Sequence, residues 1–330
     1  MKKTFTILSI IIFGLAYPQT TNDEYIAKEY YKQGEYLKAR QLYENIFKKK
    51  KTKTIYTKYL ECLIKTQAFN KAEKVIKSFY KKTNDPTALI DHGEIYLIQK
   101  NKNEAYKKFN QAINEGKKNS RYMPALGAKF LRSKHYEYAL EVYKILKKQV
   151  NKPSYSIQIA NIYSATGKIS KMYETIIELL YEFPNYFQTC KNKLRITISD
   201  DGESENNQKL KKILIQSIQK KKSYEISKML VWLFMQEKEF QKALEYEISI
   251  DKRISDNELE IINLGDIAFK NQNYITAKNA FQYILNKSHK DSYYYEYASI
   301  EILNIKFEIL LNQKIKQIDE IENLSKIYEN

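Results

Sequence analysis

The sequence predicts an all-α fold built from stacked helical hairpins, and three observations carry that expectation. Glycine and proline are scarce, eight and five in 330 residues, too few for the turns of a sheet-rich fold. One alanine recurs as Ala39, Ala72, Ala105, Ala139, Met172 in its place, Ala243 and Ala277, at spacings of 33, 33, 34, 33, 71 and 34. Other residue types keep fixed offsets from it, which is how a small repeated helical unit announces itself.

The first element is an address rather than a domain. Lys2 and Lys3 precede an apolar stretch from Phe5 to Leu15, and Gly14 and Ala16 offer the small residues that a signal peptidase reads. The stretch is shorter than the roughly 18 residues a spanning helix needs. Residues 1–16 are therefore expected to be a signal peptide, with the mature chain starting near Tyr17; an uncleaved anchor is the alternative. No cysteine follows within twenty residues, so lipid modification is not indicated.

Repeat units one to five occupy residues 20–186. Nine positions before the recurrent alanine stand Tyr30, Leu63, Tyr96, Phe130, Tyr163, Phe234 and Ala268. Twelve before it stand small or aliphatic residues, including Ala27, Gly93, Gly127, Ala160 and Gly265. Four after it come Tyr43, Ile76, Phe109, Tyr143, Ile176 and Phe281, a column that Glu247 breaks. These offsets put the apolar positions on one face of each of two helices. The small residue is expected to let the helices approach, facing the alanine, with aromatics filling the wedge. Polar breakers such as Gln33 to Glu35 and Lys100 to Lys102 separate the two. A lone hairpin cannot cover its own apolar face, so neighbours must stack.

Register fails between residues 187 and 223. The polar stretch 199–207 is expected to be a mobile loop inside one degenerate hairpin. An amphipathic helix using Leu210, Ile213, Leu214 and Ile218 follows; a linker between two blocks is the alternative. Two further units span 224–288. In 289–330, Ser292 would cap a long helix through Ile300, Leu303, Phe307 and Leu310, and a second helix would carry Ile315, Ile318, Leu324 and Ile327. The pair is expected to cap the array, with a partner-docking helix as the alternative.

The pattern resembles the tetratricopeptide repeat (TPR), a helix–turn–helix unit of about 34 residues. The likeness is close from Tyr30 through Gly34 and Tyr36 to Ala39, and good from Gly93 to Ala112 and from Gly265 to Ile284. Tryptophan is missing near the start of each first helix, and the closing proline survives only at Pro184 and near Pro86 or Pro153. The resemblance implies a solenoid forming a right-handed superhelix, a C-terminal cap, and a concave surface of first helices that holds extended peptides or partner helices. It points to an exported bacterial protein of this type.

Catalytic chemistry is not expected. His92, His135 and His289 fall in different units, and no His-x₃-His, Cys-x-x-Cys or nucleotide-loop pattern occurs. His92, beside Gly93, is expected to pack in the core. Cys62 and Cys190 lie too far apart along an array to pair. No metal or cofactor is expected.

Net charge is +17, yet arginine appears only at positions 40, 121, 132, 195 and 253. Readers of bases and phosphates favour arginine forks, and acidic residues are interspersed throughout. Nucleic acid is therefore not the expected partner, and the lysine excess follows in part from a composition rich in AT-coded residues.

Projected from the register, the concave lining is Lys28, Tyr31 and Lys32; Ile64 and Lys65; Ile90, Glu94 and Leu97; Arg121, Leu131 and Arg132; Asn161; Trp232 and Met235; and Ile262 and Phe269. Glu24, Glu61, Lys228 and Asp266 fall beside them. Trp232, the sole tryptophan, is the candidate anchor, with packing against the degenerate hairpin as its alternative role. The mixed lining suits an amphipathic segment. The expected function is a non-catalytic periplasmic or envelope-associated scaffold holding a protein or peptide, in envelope assembly or secretion. The alternative is a peripheral membrane or polyanion binder acting through its lysines, with contact to anionic membrane.

Overall fold

A computed structural model of the chain describes residues 19–312. The expected signal peptide and the second C-terminal helix lie outside the described residues. Among the described residues there are seventeen α-helices, two 3-10 turns and no strand, so the all-α expectation holds. The chain divides into two compact units between Gln149 and Val150.

The first unit holds four hairpins. Helix α1 (Gln19–Lys32) pairs with α2 (Tyr36–Lys49), α3 (Lys53–Lys65) with α4 (Phe69–Thr83), and α5 (Thr87–Ile98) with α6 (Lys102–Lys118). A 3-10 turn, Ser120–Tyr122, then leads into α7 (Met123–Arg132), which pairs with α8 (Tyr136–Gln149). The second unit opens with the hairpin of α9 (Pro153–Ala165) and α10 (Ile169–Glu182). After the 3-10 turn Pro184–Tyr186 come α11 (Phe187–Arg195) and α12 (Glu205–Lys220). Then α13 (Tyr224–Gln236) pairs with α14 (Phe240–Ile254), α15 (Glu258–Lys270) with α16 (Tyr274–Lys287), and α17 (Tyr293–Asn312) packs on α15 and α16.

One turn geometry closes seven of these hairpins. The residue five before the recurrent alanine is left-handed: Gly34 and Gly167 at φ 77° and 70°, and Gln67, Lys100, Lys134, Lys238 and Gln272 at φ 55–62°. The next residue donates its N–H to the carbonyl nine before the alanine, at 2.8–2.9 Å in every case, from Glu35 to Tyr30 through Asn273 to Ala268. This bond is the long-range half of a Schellman cap. The same residue's carbonyl then accepts from the alanine N–H and starts the second helix. The column at minus nine is thus fixed twice, by its apolar side chain and by its carbonyl.

The recurrent alanines are fully buried. The close approach in the three hairpins with a glycine at this place, however, is made by a different residue than expected. A Cβ on Gly93 would meet Phe109 Cε1 at 2.3 Å, one on Gly127 would meet Tyr143 Cζ at 3.1 Å, and one on Gly265 would meet Phe281 Cζ at 2.9 Å. The small residue on the first helix therefore receives the aromatic four after the alanine, not the alanine itself. Burying such a ring contributes about 1.5–3 kcal/mol relative to exposure.

The stretch 187–223 departs from this plan. Helices α11 and α12 pack on α10 and α13 rather than closing a hairpin of the usual kind. The polar stretch expected to be loop through residue 207 becomes helix at Glu205. Asn207 is buried at the place of the alanine. Its amide accepts from Ser199 N at 3.1 Å and donates to Ser199 O at 3.0 Å and Glu237 Oε1 at 3.1 Å. Four residues on, Lys211 pairs with the Glu237 carboxylate at 2.9 Å.

Two stability measurements test this architecture. Ala105→Glu places an unpaired charge in a filled hairpin and is expected to cost about 3–5 kcal/mol in urea unfolding; a stable, fully helical variant would show the register to be wrong. Lys100→Gly relieves a left-handed side chain and is expected to stabilise by about 0.5–1 kcal/mol, after allowing for the freedom glycine adds to the unfolded chain. An unchanged or lowered urea midpoint would contradict the turn geometry.

Candidate functional site

First-helix surfaces in the first unit are largely occupied by ties to their neighbours. Tyr31 donates to Glu61, which also pairs with Lys58 at 3.0 Å. Tyr56 donates to Asp91 Oδ2 at 2.7 Å, and Lys129 approaches the other oxygen at 2.5 Å. His135 Nε2 lies 2.8 Å from Glu94 Oε1. Burial pushes the Glu94 carboxyl up, but hydrogen bonds from His135 and Ser133 outweigh it and hold it below its ordinary range. These links run from α1 to α3, from α3 through α5 to α7, and from α5 to the turn after α7. They lace the first helices together, and Lys28, Lys65 and Arg132 stand exposed beside them.

The second unit has a cleft on its first-helix side. It measures ≈ 590 Å³ and is bounded by α11, α13 and α15. Val231, Trp232 and Met235 come from α13, and Leu264 and Ile267 from α15. Trp232 is 8% exposed and Ile267 is 43% exposed, so the tryptophan backs the cleft and the isoleucine stands open in it. From α11 come Gln188, Lys191, Asn192 and Arg195. The Lys191 ammonium stands 5.9 Å from the Trp232 ring centroid.

Beside the apolar wall is a buried charge cluster. Lys228 Nζ contacts Glu247 Oε1 at 2.5 Å and Glu260 Oε2 at 3.1 Å. Glu247 is the residue that breaks the aromatic column, and its side chain is buried. Burial lifts its carboxyl above the ordinary glutamate value, against the opposing pull of Lys228. Burial pushes the Lys228 ammonium down, but the hydrogen bond with Glu247 and the second carboxylate outweigh it, so it stays charged. A position that is apolar in other hairpins here holds a cation in place at the cleft.

The projected lining residues distribute unevenly. Trp232 and Met235 meet in the cleft, as does Lys228. Lys28, Lys32, Lys65 and Arg132 are exposed on the first unit, and Ile64, Leu97 and Leu131 are half-buried. Tyr31 and Glu94 are engaged in the ties described above. Ile90 and Ile262 are corrections: they are 0% and 5% exposed and belong to the core rather than to an open surface. Arg121 is also displaced. It lies in the 3-10 turn before α7 and donates to the Tyr122 hydroxyl at 2.7 Å. Asn161 accepts from Lys193 at 2.8 Å, and Phe269 packs on Tyr274. Lys191, Arg195 and Ile267 escaped the sequence reading. Helix α11 has no register from which to project Lys191 and Arg195, and Ile267 lies on α15 outside the projected lining. Trp232, Met235 and the Glu247 anomaly marked the neighbourhood in the sequence.

Other candidate chemistry resolves into packing. His92 is buried and stacks on Tyr96, and burial lowers its pKa. Cys62 and Cys190 are buried free thiols, pushed up by burial to about 11 and about 12. Among the described residues no three His, Cys, Asp or Glu side chains converge to hold a metal ion, and no helix is long and apolar enough to cross a membrane.

The hairpin register, the left-handed turn and the glycine–aromatic seat define the fold: an all-α array of helix–turn–helix hairpins that resembles the tetratricopeptide repeat. No protein-family model matches the sequence, and no curated protein matches it. Among solved structures it is similar to the C-terminal part of a TPR repeat-containing protein from Cytophaga hutchinsonii, with 15% identity and a TM-score of 0.33, over 84% of this chain and 98% of that one. A TPR protein from Thermus thermophilus aligns with 17% identity and a TM-score of 0.32, over 53% of this chain and 98% of that one. A third, from Parabacteroides merdae, aligns with 10% identity and a TM-score of 0.31, over 87% and 98%.

The charge cluster yields a pH-dependent expectation. Because the folded-state pKa of Glu247 is raised, its favourable contribution is present below the ordinary glutamate pKa and is lost as pH rises through the folded value. Glu247→Leu restores the apolar column and leaves Lys228 with Glu260. The variant is expected to match or exceed the parent in urea stability at neutral pH, with its relative advantage shrinking in acid. A variant that is least stable at neutral pH would refute this account.

Proposed function

We propose that this chain is an exported, non-catalytic scaffold that holds a segment of a protein partner in the cleft of its second unit, in envelope assembly or secretion. One observation carries the reading. On the first-helix face of the second unit, apolar side chains flank an open cleft of ≈ 590 Å³, whereas the equivalent face of the first unit is tied to itself. Apolar side chains at the centre with polar groups at the rim are the usual anatomy of a recognition site. The first unit then serves as a brace. Export rests on Lys2, Lys3 and the apolar stretch ending in Gly14 and Ala16.

The test is site-specific photo-crosslinking in the native cells, with envelope and soluble fractions analysed apart. A crosslinker at Ile267 is expected to capture one reproducible protein, and Met235→Glu is expected to abolish that capture. A crosslinker at Lys28 is expected to yield none. Equal capture from Lys28, or capture that ignores Met235→Glu, would overturn the site. Mass measurement of the recovered chain tests export: a start near Tyr17 supports it, and a full-length chain confined to the cytoplasm overturns it.

A further inference from the structure

The two sides of the cleft differ in charge, and that asymmetry bears on what it takes. Helix α11 carries Lys191, Lys193 and Arg195 and no acidic residue. Lys193 is spent on Asn161. Lys191 and Arg195 line the cleft and make no ion pair among the described residues. Elsewhere, lysines on these helices commonly pair with a glutamate three positions away, as Lys32 does with Glu29, Lys107 with Glu104 and Lys118 with Glu115.

Opposite, the situation reverses. Lys228 is already matched by two carboxylates, so it offers nothing further to an anion. Glu260 keeps 48% of its side chain exposed and repels an acidic group on that side. Between the two lie Trp232, Met235 and Ile267.

We propose that the cleft selects an amphipathic peptide segment with side-chain carboxylates facing α11 and an apolar side chain seated against Trp232 and Ile267. This deepens the scaffold reading and rests on it. Lys191 and Arg195 supply the complementary charge, and Glu260 fixes the segment's orientation by excluding acid from the other side. Complementarity of this kind sets specificity and arrival rate more than total affinity. Lys191 has a further part: its ammonium already stands by the Trp232 ring, so a bound carboxylate draws on a cation held by the anchor itself.

The experiment uses the full-length mature chain and three short synthetic peptides with the same leucines. One carries aspartate and glutamate, one lysine, and one serine at the charged positions. Binding is read from the emission of Trp232, the sole tryptophan, which reports from the cleft. The acidic peptide is expected to bind about tenfold tighter than the serine peptide at low salt, and the advantage should shrink at high salt. The double variant Lys191→Glu with Arg195→Glu, both surface changes, is expected to move the preference to the lysine peptide. Equal binding of all three peptides overturns the acidic selection and leaves the cleft as the site. No change in Trp232 emission with any of them overturns both readings. A response to phosphatidylglycerol vesicles and not to the acidic peptide overturns the proposal in favour of a lipid surface.

Discussion

Each regular hairpin depends on a left-handed residue placed five positions before the alanine. That residue turns the chain so that the next N–H reaches back to a carbonyl in the first helix and the next carbonyl opens the second. The reversal fixes how far one helix slides along the other. The aromatic four after the alanine then arrives over the small residue twelve before it. Gly93 under Phe109 and Gly265 under Phe281 are the tight cases, where even a methyl group has no room. Spacing, register and stacking follow from that one reversal, because the outer face of each hairpin is set by the inner one.

Where the chain abandons the device, polar groups enter the core. Between α11 and α12 the reversal becomes a longer loop, Asn207 takes the place of the alanine, and Lys211 that of the aromatic. The core position is kept by pairing instead of packing: Asn207 holds the Ser199 backbone and Glu237, and Lys211 answers the Glu237 charge. The next hairpin regains the turn but carries Glu247 where the hairpin after it carries Phe281. Buried ion pairs stabilise less than apolar packing of equal volume, so this unit trades stability for a particular charge arrangement. The cleft opens beside these substitutions. Functional sites are where local rules of a fold are most often broken.

Much of this was legible beforehand. The alanine spacing and its companion columns are direct images of helix periodicity and of the turn's fixed length, so hairpin boundaries could be read from residue identity. Lateral contacts could not. Ile90 and Ile262 look like groove residues when a helix is drawn as a wheel, but whether a position faces the partner helix or the open side depends on the crossing of two helices. The partners of Tyr31 and Glu94 are more than 25 positions away and leave no mark in local pattern. Lys191 and Arg195 were invisible for a different reason, since register is the only ruler a repeat offers and α11 lies off it. Glu247 was the exception. Its misfit to the column was visible, and it marks the cleft.

The two kinds of connection also differ in what evolution can do with them. Within a regular hairpin the five residues around the left-handed position are all committed to hydrogen bonds, so an added or lost residue breaks the reversal. Between hairpins the chain passes through short segments such as residues 50–52, 119–122 and 288–292, whose lengths already differ. The second helices that lead into the joints vary as well, from 14 residues in α2 to 17 in α6. An affinity tag, a fluorophore-bearing loop or a grafted domain would be accommodated at those joints, on the opposite edge from the left-handed turns.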